Sequence, residues 1–164
     1  MTLQAVFFGA IGTLAETSEL QRRAYNMAFA AADLDWVWDR ESYARMLYEP
    51  GGKTRIRTYA EQAGDRVDAA AVHAAKQMYF AMLLAREGAD LRPGVGDLIN
   101  AVQARGLLLA LVTGTDAAQV DALLAALPIS RDDFDWVGDR TRAARGKPAP
   151  DLYHAAMDDL GLLP

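Results

Sequence analysis

Two apolar patterns alternate along the chain. Residues 3–8 and 107–112 are short, almost continuous apolar runs, and 134–137 is a third, shorter one. Runs of this kind predict strands, and the unbroken Leu107–Val112 text predicts one buried on both faces of a parallel sheet. Elsewhere the apolar residues recur at helical spacing. Leu20, Ala24, Met27, Ala28 and Ala31 predict a first helix, entered through a Ser18–Gln21 capping box. Asp39 predicts the cap of a second helix reaching about Leu47, and residues 53–62 and 68–87 predict two more. Residues 95–105, the segment from Asp116 to before Pro128, and 151–160 predict the remaining helices. Turns fall where Gly and Pro cluster, at Glu49-Pro50-Gly51-Gly52, Arg92-Pro93-Gly94 and Gly146-Lys147-Pro148-Ala149-Pro150.

The order is therefore one strand, four helices, then helix and strand in alternation. That order predicts an α/β core, 1–17 and 91–164, interrupted by a helical module, 18–90. Trp36 and Trp38 are expected to anchor the module's core.

Composition narrows the classes. With 164 residues and 52% hydrophobic content, one ordinary domain with an insertion can bury a sizeable core. The net charge of -5 argues against non-specific nucleic-acid binding, which draws on clustered Lys and Arg. Without cysteine there is neither a disulfide framework nor a thiolate site. No apolar run approaches the ~18 residues of a membrane span, and the start MTLQAVFF lacks the features of a signal peptide. A cytoplasmic protein without nucleic-acid partners is expected.

Three short motifs carry the candidate chemistry. They are Phe8-Gly9-Ala10-Ile11-Gly12-Thr13-Leu14, then Leu111-Val112-Thr113-Gly114-Thr115, then Gly146-Lys147-Pro148-Ala149-Pro150-Asp151. Together with the helical insertion they resemble the haloacid dehalogenase (HAD)-like superfamily of phosphatases. The resemblance implies a Rossmannoid parallel sheet with an inserted α-helical cap. Leu14-Ala15-Glu16-Thr17, Arg22-Arg23-Ala24-Tyr25-Asn26 and Gly51-Gly52-Lys53-Thr54-Arg55-Ile56 bring the text nearest to the xylulose-1,5-bisphosphate phosphatase and beta-phosphoglucomutase-like proteins.

In that superfamily the first motif reads Phe-Asp-x-Asp-Gly-Thr-Leu. Its first Asp attacks phosphorus to give an aspartyl-phosphate, and its second is a general acid and base. Magnesium sits between the first Asp and a later acidic motif. At the two Asp positions this chain has Gly9 and Ile11, which offer no nucleophile, acid or base. Dehalogenases also lack the second Asp, so Ile11 alone would allow a change of reaction, whereas Gly9 does not. The later acidic motif, usually Glu-Asp-Ser, and the last strands do not follow Lys147-Pro148-Ala149-Pro150-Asp151. A truncated sheet is expected, with residues 3–8 as an exposed apolar edge able to recruit a protein partner or a second copy.

By the resemblance, Thr113 and the amides near Gly114 hold phosphate oxygens, while Lys147 neutralises their charge. Glu16, Gly51, Gly52, Lys53 and Arg55 match the substrate-recognition segment of the cap. Each also has a plainer reading: a helix-start turn for Thr113, a solvated turn lysine for Lys147, surface charge around a helix start for the cap group. His73, His154, Asp132, Asp133, Asp135, Asp158 and Asp159 are expected to be structural or solvated, with no metal ligands among them. The sequence thus points to a catalytically inactive HAD-like pseudophosphatase that acts by binding a protein partner, needs no cofactor, and retains a site for phosphate or a sugar phosphate. The alternative is a magnesium-dependent sugar-phosphate phosphatase in altered or shortened form.

Overall fold

A computed structural model describes residues 2–48 and 51–162, so Glu49 and Pro50 of the expected turn lie outside it. In chain order the elements are β1 (Ala5–Phe8), α1 (Ser18–Ala31), α2 (Arg40–Met46), α3 (Gly52–Ala63), α4 (Ala69–Glu87), α5 (Val95–Ala104), β2 (Leu108–Val112), α6 (Ala117–Ala125), β3 (Trp136–Gly138) and α7 (Asp151–Asp159). They form two compact units, Met1–Thr17 with Gly88–Pro164, and Ser18–Glu87.

The α/β unit is built on a parallel three-stranded sheet of order β1-β2-β3. The central strand is the one with the unbroken aliphatic text, and Leu109, Ala110, Leu111 and Val112 are fully buried. At roughly 1.5–3 kcal/mol for each large aliphatic side chain, this strand contributes strongly to the unit's stability. β1 occupies an edge of the described sheet and pairs with β2 alone. Its residues Ala5, Val6 and Phe7 are half-buried and only Phe8 is buried.

β3 begins later than its apolar text suggests. Asp135 brackets Leu109: its backbone N–H donates to the Leu109 carbonyl at 2.8 Å, and its Oδ2 accepts from the Leu109 N–H at 2.7 Å. Asp135 is thus a strand-registering residue rather than a solvated loop acid. Asp133 likewise closes a capping box with Ser130 over the 3₁₀ turn Arg131–Asp133. α7 is tied back to β3 through Trp136, whose Nε1 donates to Asp159 Oδ2 at 2.8 Å. That bond, with the Arg142 ion pair, holds the Asp159 carboxyl below its usual range.

The helical unit closes around aromatic rings. Tyr25, Phe29, Trp36, Trp38 and Tyr43 are buried together with Ile56 and Val72. Trp38 sits 4.7 Å from both Tyr25 and Phe29, the latter in the edge-to-face geometry that ring quadrupoles favour. Asn26 fixes the chain there, donating to the Trp38 carbonyl at 3.0 Å and accepting from its N–H at 2.9 Å. Asp39 caps α2 as expected, accepting from Ser42 N. Gln21, at the expected capping box, is buried, and its Oε1 accepts from Lys76 Nζ. An amine buried in α4 needs such an acceptor. Among the described residues no helix is long and apolar enough to cross a membrane.

Candidate functional site

The strand register brings the first two motifs to one edge of the sheet, and the contact of Lys147 with Val112 brings the third. Phe8 is level with Leu111 and Val112 with Gly138, so Gly9 and Thr113 both follow the carboxyl ends of their strands. That edge is where open α/β sheets bind ligands. The turn after β1 is compact: Leu14 N donates to the Ala10 carbonyl and Gly12 N to that of Ala15, each at 2.8 Å. Gly12 takes φ +77°, open to glycine without cost. Ile11 is 40% exposed and presents only hydrocarbon.

On β2 the Thr113 N–H donates to the Gly138 carbonyl at 3.0 Å, which seats the loop. The buried Thr113 Oγ1 donates to Thr115 Oγ1 at 2.9 Å and accepts from Thr115 N at 3.2 Å. The hydroxyl expected to meet phosphate is therefore turned into its own loop, as short polar side chains at helix starts often are. Gly114 is exposed and has nothing within 4 Å of where a Cβ would stand.

Lys147 is better anchored than its sequence context suggests. Its Nζ donates to the Val112 carbonyl at 2.8 Å and lies 4.8 Å from the centroid of the Tyr153 ring. Among the described residues it forms no ion pair. Thr113, directly after Val112, and Lys147 thus share one end of β2. A half-buried ammonium held by a carbonyl and a ring face keeps its full positive charge for an anion.

The donor set does not fit magnesium. The ion takes near-octahedral oxygen ligands, commonly carboxylates, yet position 9 has no side chain and position 11 has a hydrocarbon one. Among the described residues no group of three or more His, Asp, Glu or Cys side chains converges.

The remaining predicted site residues divide between the units. Glu16 belongs to the α/β unit, not with the cap segment, and its Oε2 lies 3.3 Å from Arg92 Nη1. The backbone supports the pairing, since Arg92 N donates to the Leu14 carbonyl at 2.7 Å. Gly51, Gly52, Lys53 and Arg55 lie at the start of α3 in the helical unit. Gly51 takes φ +106° there, and Lys53 is exposed. Arg55 turns inward, donating through Nε to the Met46 carbonyl at 3.1 Å and lying 5.7 Å from the Tyr43 ring centroid. Gly52 permits a close approach: a Cβ there would stand 2.5 Å from His73 Nε2 and 2.7 Å from Tyr25 Oη.

Sequence reading missed Lys76. It is 4% exposed, bonded to Gln21 and to Gln77 Oε1 at 3.2 Å, and flanked by the Tyr25 and Phe80 rings. Burial, with Arg55 nearby, pushes its amine down to about 7. The signal was its position four residues after Val72 and four before Phe80, on the apolar stripe of α4.

Comparison with known proteins places this architecture. Protein CbbY of Rhodobacter capsulatus is 41% identical over 169 residues, spanning 100% of this chain and 74% of that protein. The crystal structure of CbbY from Rhodobacter sphaeroides in complex with phosphate superposes with a TM-score of 0.86 at 38% identity, covering 98% of this chain and 74% of that one. A variant of the same protein in complex with xylulose-(1,5)bisphosphate gives a TM-score of 0.85 at 38% identity, again over 98% and 74% of the two chains. Residues 3–164 match the haloacid dehalogenase-like hydrolase family, and the chain belongs to that family.

Proposed function

We propose that this chain binds a phosphorylated sugar at the edge formed by Thr113, Gly114 and Lys147, and that it does so without a covalent step at position 9. The observation that carries this reading is the anchored Lys147 ammonium beside the Thr113 loop, 2.8 Å from the Val112 carbonyl and without a carboxylate partner among the described residues. The complexes of its relative with phosphate and with xylulose-(1,5)bisphosphate support the ligand class.

A second reading is favoured by the comparisons: a magnesium-dependent sugar-phosphate phosphatase of the CbbY kind. They give that lineage more support than they give a protein-binding role for the β1 edge. It would require a nucleophile other than residue 9, because glycine cannot form an acyl phosphate.

Titration calorimetry with inorganic phosphate and with xylulose 1,5-bisphosphate, on the wild type and Lys147→Ala, tests the proposal. Binding on the order of millimolar that Lys147→Ala abolishes is the expected result. Magnesium-dependent release of phosphate well above the Lys147→Ala control would overturn it in favour of the phosphatase. Loss of a covalent nucleophile ordinarily costs several orders of magnitude in rate, so the two outcomes are well separated.

A further inference from the structure

We infer that Tyr153 is the positioning residue for Lys147: its ring takes up, in this chain, part of the task that a carboxylate at position 9 would perform. This rests on the phosphate-binding reading above for its consequence, though not for its geometry.

Three contacts define the arrangement. The Lys147 Nζ stands 4.8 Å from the Tyr153 ring centroid, within the range where a ring face attracts a cation. The same ring stacks on Phe7 of β1, with centroids 6.3 Å apart and planes 16° from parallel. The amine is then fixed from the other direction by the Val112 carbonyl of β2. β1 and β2 are paired in register, Phe7 with Ala110, so two neighbouring strands set the position of the amine through two independent contacts.

The link to position 9 is the end of β1. Residue 9 directly follows β1, two residues after Phe7, at the same carboxyl end of the sheet. Glycine at 9 supplies no negative group. A ring face and a carbonyl hold the ammonium in place without neutralising it, whereas a carboxylate would do both. The ammonium has three N–H donors. One goes to Val112, which leaves two for an anion.

The test compares wild type with Tyr153→Phe, which keeps the ring, and Tyr153→Leu, which removes it. Two readouts are used: the ring-current shift of the Lys147 ε-methylene protons by NMR, and the affinity for inorganic phosphate by calorimetry. Tyr153 is 38% exposed, so neither variant opens the core. The expected result is an upfield Lys147 signal in wild type and Tyr153→Phe that relaxes in Tyr153→Leu. Phosphate affinity should fall about two- to fivefold in Tyr153→Leu alone, the size of a part-exposed cation–ring contact. An unchanged Lys147 signal in Tyr153→Leu overturns the inference, and so does unchanged phosphate affinity. If wild type binds no phosphate, the binding reading fails, and the Lys147 signal still decides the positioning role.

Discussion

A β-carbon built on Gly9 would stand 2.9 Å from the Thr13 Oγ1. The turn after β1 has closed over the space that a side chain at position 9 would use. Thr13 is exposed, so a change of its χ1 rotamer can accommodate Gly9→Asp with little loss of stability. The new carboxylate would stand just past the end of β1, the sheet end that Lys147 also occupies. Without metal, it should compete with phosphate for that ammonium and lower phosphate affinity on the order of tenfold. Calorimetry on Gly9→Asp and Gly9→Asn, of similar bulk and no charge, checks this. Equal weakening by both would assign the effect to crowding.

Asp135 governs the entry into β3. Replacing it with Ala removes the acceptor from the Leu109 N–H, on a strand residue that is fully buried. An unsatisfied buried donor costs about 1–3 kcal/mol. Urea unfolding of Asp135→Ala should show that loss, with Asp135→Asn recovering much of it. A loss below about 0.5 kcal/mol would mean that water replaces the carboxylate.

These residues also mark where sequence reading stops. The strands were legible because Leu107–Val112 is too apolar for any but a buried strand, and the helices because their apolar spacing is regular. Asp135 was read as solvated because three acids in a short segment look like a loop, and nothing local says that one faces the Leu109 N–H. For Lys147 a solvated turn lysine stood beside the phosphate role because its contacts, Val112 and Tyr153, come from a strand 35 residues earlier and from a ring in the following helix. Lys76 was overlooked because an isolated lysine in α4 looks like a surface residue until its phase with Val72 and Phe80 is counted. In each case the strand or helix was set locally, and the side chain's role by residues distant in sequence.

Gly52 predicts a steric limit in the helical unit. An alanine Cβ there would meet His73 Nε2 at 2.5 Å and Tyr25 Oη at 2.7 Å. Tyr25 is buried against Trp38 and cannot retreat without disturbing the aromatic core. Overpacking of this kind costs about 1–3 kcal/mol. Gly52→Ala should lose that much in chemical unfolding, and Gly52→Ala with His73→Ala should regain part of it. No recovery in the double variant would place the strain on Tyr25 alone.

Lys76 makes stability depend on pH in a direction that can be stated in advance. Its amine is pushed down to about 7 in the folded protein, first by burial and then by Arg55, from an ordinary 10.5. Between those values the unfolded chain holds a proton that the folded chain has released. The unfolded state binds more protons there, so stability rises with pH across that window, by at most about 1.4 kcal/mol per pH unit. Below about 7 both states are protonated, and the full cost of a buried ammonium is present. Met matches the unbranched stem of Lys and removes the charge. Lys76→Met should therefore be more stable than wild type at pH 6, and the difference should shrink toward pH 9. Tyr25, which burial pushes upward, does not ionise below that limit. Urea unfolding of both proteins at pH 6, 7.5 and 9 measures the two slopes. Parallel slopes would show that the Gln21 and Gln77 oxygens keep the amine charged through the whole range.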